Sequence, residues 1–243
     1  MIRIQKLSSN MLKIIAAALM LVDHIGMLLF PNIIIFRIIG RLSFPIFAFL
    51  IAEGCKHTRS KLRYFLTVFS FGAAIQAVYS IFTKSLDMNI LLTFSVSIAI
   101  ICALSDFKGR VYAEDTTRAK LILSGLSVIA LIFASYAVSL FVRFDYGFIG
   151  FMTPVAASLF HKPKNAPYMF DRLDTLPVSL ASMGVSLLFL SFSNQPIQFF
   201  SLLSLPILML YSGERGRFRM KYFFYLFYPL HLLLLYGISL FMK

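Results

Sequence analysis

Residues 12–30 read LKIIAAALMLVDHIGMLLF, and residues 33–54 read IIIFRIIGRLSFPIFAFLIAEG. Each run is apolar over about the 20 residues that a helix needs to cross roughly 30 Å of hydrocarbon. Their interiors nevertheless hold Asp23, His24, Arg37, Arg41 and Glu53. An ionisable group in hydrocarbon costs about 2.5–3.5 kcal/mol on insertion scales unless it faces a partner or a water-filled cavity. One such group could be an accident of snorkelling. This many within two spans mark a candidate site, and the rest of the chain is read outward from it.

The composition agrees with these two runs. Of 243 residues, 59% are hydrophobic and only 14% charged, with 27 Phe and no Trp; soluble domains carry roughly 25% charged residues. The apolar runs are continuous and lack the period-two alternation of a transmembrane barrel. The expected fold is an all-α polytopic membrane protein, a single transmembrane domain over residues 1–243. Nine spans are predicted, at 12–30, 33–55, 62–83, 88–105, 120–142, 147–161, 174–193, 196–212 and 220–241. The fourth, sixth and eighth are short for a full crossing.

Charge placement orients the bundle. With the N-terminus inside, the outer segments hold only Lys84, Arg143 and Lys243, and Arg37 and Arg41 lie within a span. Every other one of the 23 Lys and Arg falls in an inner segment, as the positive-inside rule requires. The N-terminus is therefore expected in the cytoplasm and the C-terminus outside. The net charge of +13 becomes topology, and no nucleic-acid partner is expected. No small-residue cleavage site follows the first span, so it is expected to be retained. Cys55 and Cys102 end apolar runs on the inner side, where a structural disulfide is not expected.

Asp23 and His24 lie about 16 Å along the first helix at 1.5 Å per residue, at or somewhat beyond mid-membrane. Adjacent residues point about 100° apart, so they cannot form a simple dyad. His24 is expected to face a cavity and Asp23 to pair elsewhere, with Arg41 as partner. Arg37 and Arg41 are spaced i,i+4 on one helix face and could receive a carboxylate, a phosphate or a developing oxyanion; Arg37, nearer the outer interface, could instead snorkel. Ser43 and Pro45 interrupt this span and should kink it. Glu53 and His57 are again i,i+4, beside Lys56, and Ala52 and Gly54 let another helix approach Glu53.

Further along, Gln76 could pack between helices. Asn89 and Thr93 could hydrogen-bond across helices, with capping by Asp87 or Asn89 the plainer use. Asp145-Tyr146-Gly147 reads as a turn or cap at the outer face, and His161 as solvated in a polar loop. In FYLFYPLHLLLLYG (224–237), His231 is deep, Pro229 is placed to bend the helix, and Tyr225 and Tyr228 bring hydroxyls to the same level. His24 and His231 could line one cavity. Two His and two carboxylates could in principle bind zinc, yet none of the usual ligand spacings occurs and the arginines would repel a cation. There is no G-x-S-x-G elbow, Gly-rich phosphate loop or C-x-x-C.

Taken in order, LKIIAAALMLVDHIG, FRIIGRLSFPIFAFLIAEGCKHTRS, NILLT, DYGFIG and KYFFYLFYPLHLLLLY resemble the TraX family, from about residue 11 to the C-terminus. The terminal motifs are specific; the middle is generic hydrophobic sequence. The resemblance implies a bacterial inner-membrane acetyltransferase with acetyl-CoA as donor, because TraX of conjugative plasmids acetylates the pilin N-terminus. It also implies Asp23, His24, Arg41, Glu53 and His231 as the motif polar set. The acceptor does not transfer with the motif: a peptide N-terminus, a sugar or an envelope component all fit.

Acyl transfer needs a base for the acceptor proton and a donor for the oxyanion. The expected catalytic set is His24, Asp23, Arg41 and His231, with Arg37 and Glu53 toward the cofactor and Tyr228, Asn89, Asp145 and Tyr146 toward the acceptor. No thiol is placed for an acyl-enzyme, so direct transfer is expected. Membrane lipids surround the bundle, and a homo-oligomer is compatible with it. The basic stretch GERGRFRMK (213–221) could attract the phosphates of coenzyme A. The rival class is a proton-coupled transporter using the same buried groups, against which stands the lack of a visible internal repeat.

Overall fold

The computed structural model describes residues 6–84, 87–163, 166–193, 196–216 and 221–241. The side chains of residues 221–225, Tyr225 among them, lie outside the description, as does most of the basic stretch at 213–221. The fold is all-helical. In order come α1 (Ser9–Leu28), α2 (Ile34–Gly40), α3 (Ser43–His57), α4 (Lys61–Thr83), α5 (Ile90–Val111), α6 (Arg118–Phe141), α7 (Gly147–Ser158), α8 (Leu176–Ser193), α9 (Ser204–Met209) and α10 (Lys221–Phe241). Short 3-10 helices cover Tyr168–Arg172 and Pro196–Leu203. Among the described residues there is no strand, only isolated bridges between Leu7 and Tyr211 and between Met88 and Phe144.

Among the described residues, six helices are long and apolar enough to cross a membrane: α1, the α2–α3 stretch Ile34–His57, α4, α5, α6 and α8. Shorter apolar helices occupy Gly147–Ser158, Pro196–Met209 and Leu226–Phe241. Each span read from the sequence thus holds an apolar helix, and two of those expected to be short, the sixth and eighth, are short. The exception is the fourth, where α5 runs on to Val111. The interruption of the second span falls at residues 41–42, just ahead of Ser43 and Pro45. Pro45 has no N–H to donate to the carbonyl of Arg41, so the helix stops there and restarts with proline in its first turn.

Contacts cluster into two units, Met1–Leu50 with Leu187–Lys243, and Ile51–Ser186. In the first, α1 packs on α2 and on α10, and Ser43 Oγ donates to the Ala16 carbonyl at 2.8 Å. The start of α1 is strapped by residues 210–216: the Ser9 and Asn10 amides donate to the carbonyls of Glu214 and Arg215 at 2.8 and 3.2 Å. Gly216 closes this strap at φ +88°, and a Cβ there would also lie 2.8 Å from Ser8 Oγ.

In the second unit, α5 is central and packs on α4, α6 and α7. Small hydroxyl residues join the helices by bonding to backbone, as expected where apolar burial alone supplies no preference. Ser97 Oγ donates to Phe151 O at 2.9 Å and Ser182 Oγ to Ala156 O at 2.8 Å. Thr153 and Ser186 share a hydrogen bond of 3.0 Å. The basic helix ends gather at one end of this unit, where Lys56 pairs with Asp174 at 2.6 Å, Lys61 donates to Ser105 Oγ, and Lys108 donates to the Leu159 carbonyl.

At the opposite end, Asn89 caps α5. Its Oδ1 accepts from Leu91 and Leu92 amides at 3.0 and 3.3 Å, and its Nδ2 donates to the Gly72 carbonyl at 2.8 Å and Gln76 Oε1 at 3.1 Å. Gln76 Oε1 also takes the Asn89 amide at 2.9 Å. One side chain therefore supplies the cap and the α4–α5 cross-link together. Asn89→Ala should destabilise the protein by about 1–3 kcal/mol, the cost of a lost cap plus stranded buried partners. A drop in the unfolding midpoint in detergent checks this.

Candidate functional site

The first unit brings three polar residues, Arg37, Arg41 and His231, onto Asp23 and His24 of α1. Asp23 and Gly26 share one face of α1, and Arg37 and Gly40 meet them from α2. A Cβ at Gly40 would collide with the Asp23 side chain, and one at Gly26 with Phe36 Cβ. The two glycines are what let the helices approach closely enough for short guanidinium–carboxylate contacts. Arg41, which ends α2, donates from one Nη to both Asp23 oxygens at 2.8 Å. Arg37 donates to Asp23 Oδ2 at 2.7 Å and to the Asp23 carbonyl at 3.4 Å. The Asp23 and Arg41 side chains are 16% and 9% exposed. Arg37 thus joins the ion cluster, which carries net +1.

About 100° around α1, His24 faces α10. Its Nδ1 lies 2.9 Å from His231 Nε2, with ring centroids 5.0 Å apart. His231 is buried at 6% exposure, and its Nδ1 lies 2.7 Å from the Phe227 carbonyl, one turn back. Phe227 stacks on the His231 ring at 4.8 Å, and Tyr228 meets it edge-on at 5.9 Å. A carbonyl can only accept, so His231 Nδ1 carries a proton. Among the described residues, no hydrogen bond reaches His24 Nε2. The unit therefore offers an imidazole nitrogen with a buried cationic cluster beside it, an arrangement suited to moving a proton near developing negative charge.

The other expected residues lie in the second unit. Glu53 sits between His57 Nε2 at 3.3 Å and His161 Nε2 at 3.7 Å. His161 is not solvated as expected: its side chain is 15% exposed. Burial first, then the Lys56 and Lys108 ammonium groups, push its pKa down from 6.5 to about 4 against the opposing pull of Asp174. Asp174 is held below the usual carboxylate range: burial works against this, and the Lys56 hydrogen bond overcomes it. Asn89 is occupied by its capping network. Asp145 gives its carbonyl to Thr93 Oγ1 at 3.2 Å, and Tyr146 takes the left-handed cap position of α7 at φ 63°. Among the described residues, no group of three or more His, Cys, Asp or Glu could hold a metal ion.

Gly40 does not stand out among the charged residues around it, whereas a backbone carbonyl, here that of Phe227, is the ordinary partner of a lone buried histidine. Gly40 still has a signal, being the one residue without a side chain in the bulky run IIFRIIGR.

Several apolar helices long enough to cross a membrane mark the chain as a polytopic membrane protein. Its family follows from comparison: the family described as TraX protein matches residues 8–239, and the chain belongs to it. A relative from Dichelobacter nodosus bears the name "Probable fimbrial assembly protein FimC, serogroup H1" and is 28% identical over 97% of each chain. "Uncharacterized protein RP591" of Rickettsia prowazekii (strain Madrid E) is 34% identical over 35% of this chain and 32% of its own. No solved structure matches.

Two outcomes follow from the geometry. Asp23→Asn removes the carboxylate that two guanidinium groups share and should cost about 3–5 kcal/mol, read as a lower unfolding midpoint in detergent. Adding Arg41→Met to that variant should recover part of the loss. The lowered pKa of His161 means that the unfolded chain binds its proton more readily than the folded one. Stability should therefore fall as pH drops from 6.5 towards 4, at up to about 1.4 kcal/mol per pH unit. In His161→Gln that part of the pH dependence should vanish.

Proposed function

We propose that the chain is an integral-membrane acyltransferase that moves an acetyl group from acetyl-CoA to an amine or hydroxyl of a peptide, sugar or envelope acceptor. The supporting observation is the His24–His231 pair at 2.9 Å, set on the same short stretch of α1 as the Asp23–Arg37–Arg41 cluster. Family membership and the name of the Dichelobacter nodosus relative support an acceptor connected with surface fibres.

Acetyl-CoA would supply an activated thioester carbonyl, and the donor set suits it: a neutral base for the acceptor and cations for negative charge. His24 takes the acceptor proton on Nε2 as the acceptor bonds to the carbonyl carbon. The carbon–sulfur bond breaks, its electron pair leaves on sulfur, and His24 returns the proton there as the thiol departs. Arg41 and Arg37 supply positive charge against the oxygen that becomes negative, while Asp23 holds both in place. Transfer is direct, with no thiol nucleophile. Glu53, a carboxylate between two imidazoles in the other unit, suits the phosphates of coenzyme A less well than Arg37 does.

The membrane setting belongs to the same proposal: nine crossings of a bacterial inner membrane, N-terminus inside and C-terminus outside, as a single transmembrane domain. The gathering of Lys56, Lys61 and Lys108 at one end of their unit supports this orientation. A proton-coupled transporter is the second reading, favoured by the imidazole pair as a possible proton path.

Purified protein in detergent, given radiolabelled acetyl-CoA and lysate as acceptor source, should turn over the thioester. His24→Ala should lose about 10²–10⁴-fold, the usual worth of a general base. Absence of turnover by the folded wild type would favour the transporter.

A further inference from the structure

The hydrogen bonds around His231 fix more than its own position. Phe227 O accepts, so Nδ1–H of His231 donates to it at 2.7 Å. A second buried cation beside the net +1 cluster would be costly, so the His231 ring is neutral and its Nε2 carries a lone pair. That lone pair faces His24 Nδ1 at 2.9 Å and requires a proton there. His24 must then hold its own lone pair on Nε2. A free imidazole side chain prefers the opposite form, with the proton on Nε2. Which nitrogen carries the proton is set by the bond that the other one makes.

We propose that His231 is a positioning residue that holds His24 as its Nδ1–H tautomer, so that Nε2 is the nitrogen that takes the acceptor proton. This rests on the base role proposed for His24. The anchor is a backbone carbonyl, where hydrolytic triads place a carboxylate. When Nε2 takes the acceptor proton, His24 becomes imidazolium and the Nδ1–H bond to His231 strengthens. The positive charge spreads along His24, His231 and the Phe227 carbonyl, and no carboxylate is needed. Asp23 is thereby left to the two arginines. The stacked Phe227 ring keeps the His231 plane aligned with its carbonyl.

The test reads the tautomer directly. Full-length protein labelled with ¹⁵N-histidine in detergent gives the protonation state of each ring by nitrogen–proton correlation. The four histidines are assigned from single Gln replacements of His24, His57 and His161. In the wild type His24 should carry its proton on Nδ1. His231→Phe keeps the aromatic packing without the acceptor and should move the proton to Nε2; His231→Ala should do the same if it folds. His231→Gln places an amide oxygen near the former Nε2. It should restore the Nδ1–H form and keep acetyl transfer within about tenfold of wild type, where the Phe variant loses about 10²-fold or more. A wild-type His24 protonated on Nε2, or an Nδ1–H form unchanged in His231→Phe, overturns the proposal. The tautomer is measured without turnover, so the positioning role and the acyltransferase reading fail separately.

Discussion

Asp23 is a carboxylate in a low-dielectric interior that must be neutralised by groups from another helix. An unpaired charge at this depth is costly enough to displace a span, so the chain has to deliver guanidinium groups to it. The first unit is built around that requirement. Gly26 and Gly40 remove the side chains that would hold α1 and α2 apart. The helix ends at Arg41, because Pro45 cannot extend it, and this leaves Arg41 on the last turn with both Asp23 oxygens in reach. Fixing Asp23 also fixes the rotation of α1, and with it the direction in which His24 points.

That coupling explains how two adjacent residues serve different ends. Side chains 100° apart on a helix cannot form a dyad, so the carboxylate serves structure and electrostatics while the imidazole meets α10. The result is an ion cluster and an imidazole pair kept on separate faces of α1. Two arginines and an aspartate hold net positive charge, and two imidazoles and a carbonyl hold a directional hydrogen-bond chain. The acyl transfer proposed for this site would make use of both, since negative charge would build on one atom while a proton leaves another.

Much of this was legible in the sequence. The continuity and length of the apolar runs mark the helices, and the cost of buried charge singles out Asp23, His24, Arg41 and His231. The 100° argument separated His24 from Asp23 in advance. Arg37 was left between a snorkelling and a bundle-facing role, because depth alone does not say which face of a helix a residue takes. His161 reads as solvated because its loop is polar, whereas its burial comes from helix ends distant in sequence. Asn89, Asp145 and Tyr146 carry backbone tasks that hydrogen-bonding residue types cannot distinguish from ligand contacts. The tautomer of His24 was beyond reach, as it depends on a carbonyl, and every residue has one.

The central claim is that the His24 face of the first unit is where the thioester reacts. The most direct measurement is an experimental structure with a non-hydrolysable acetyl-CoA analogue in which a methylene replaces the thioester sulfur, leaving a ketone. The analogue's carbonyl should lie within hydrogen-bonding or near-attack distance of His24 Nε2, with the Asp23–Arg37–Arg41 cluster intact beside it. An analogue bound with its acyl end away from His24, against Glu53 and His161 for instance, would contradict it.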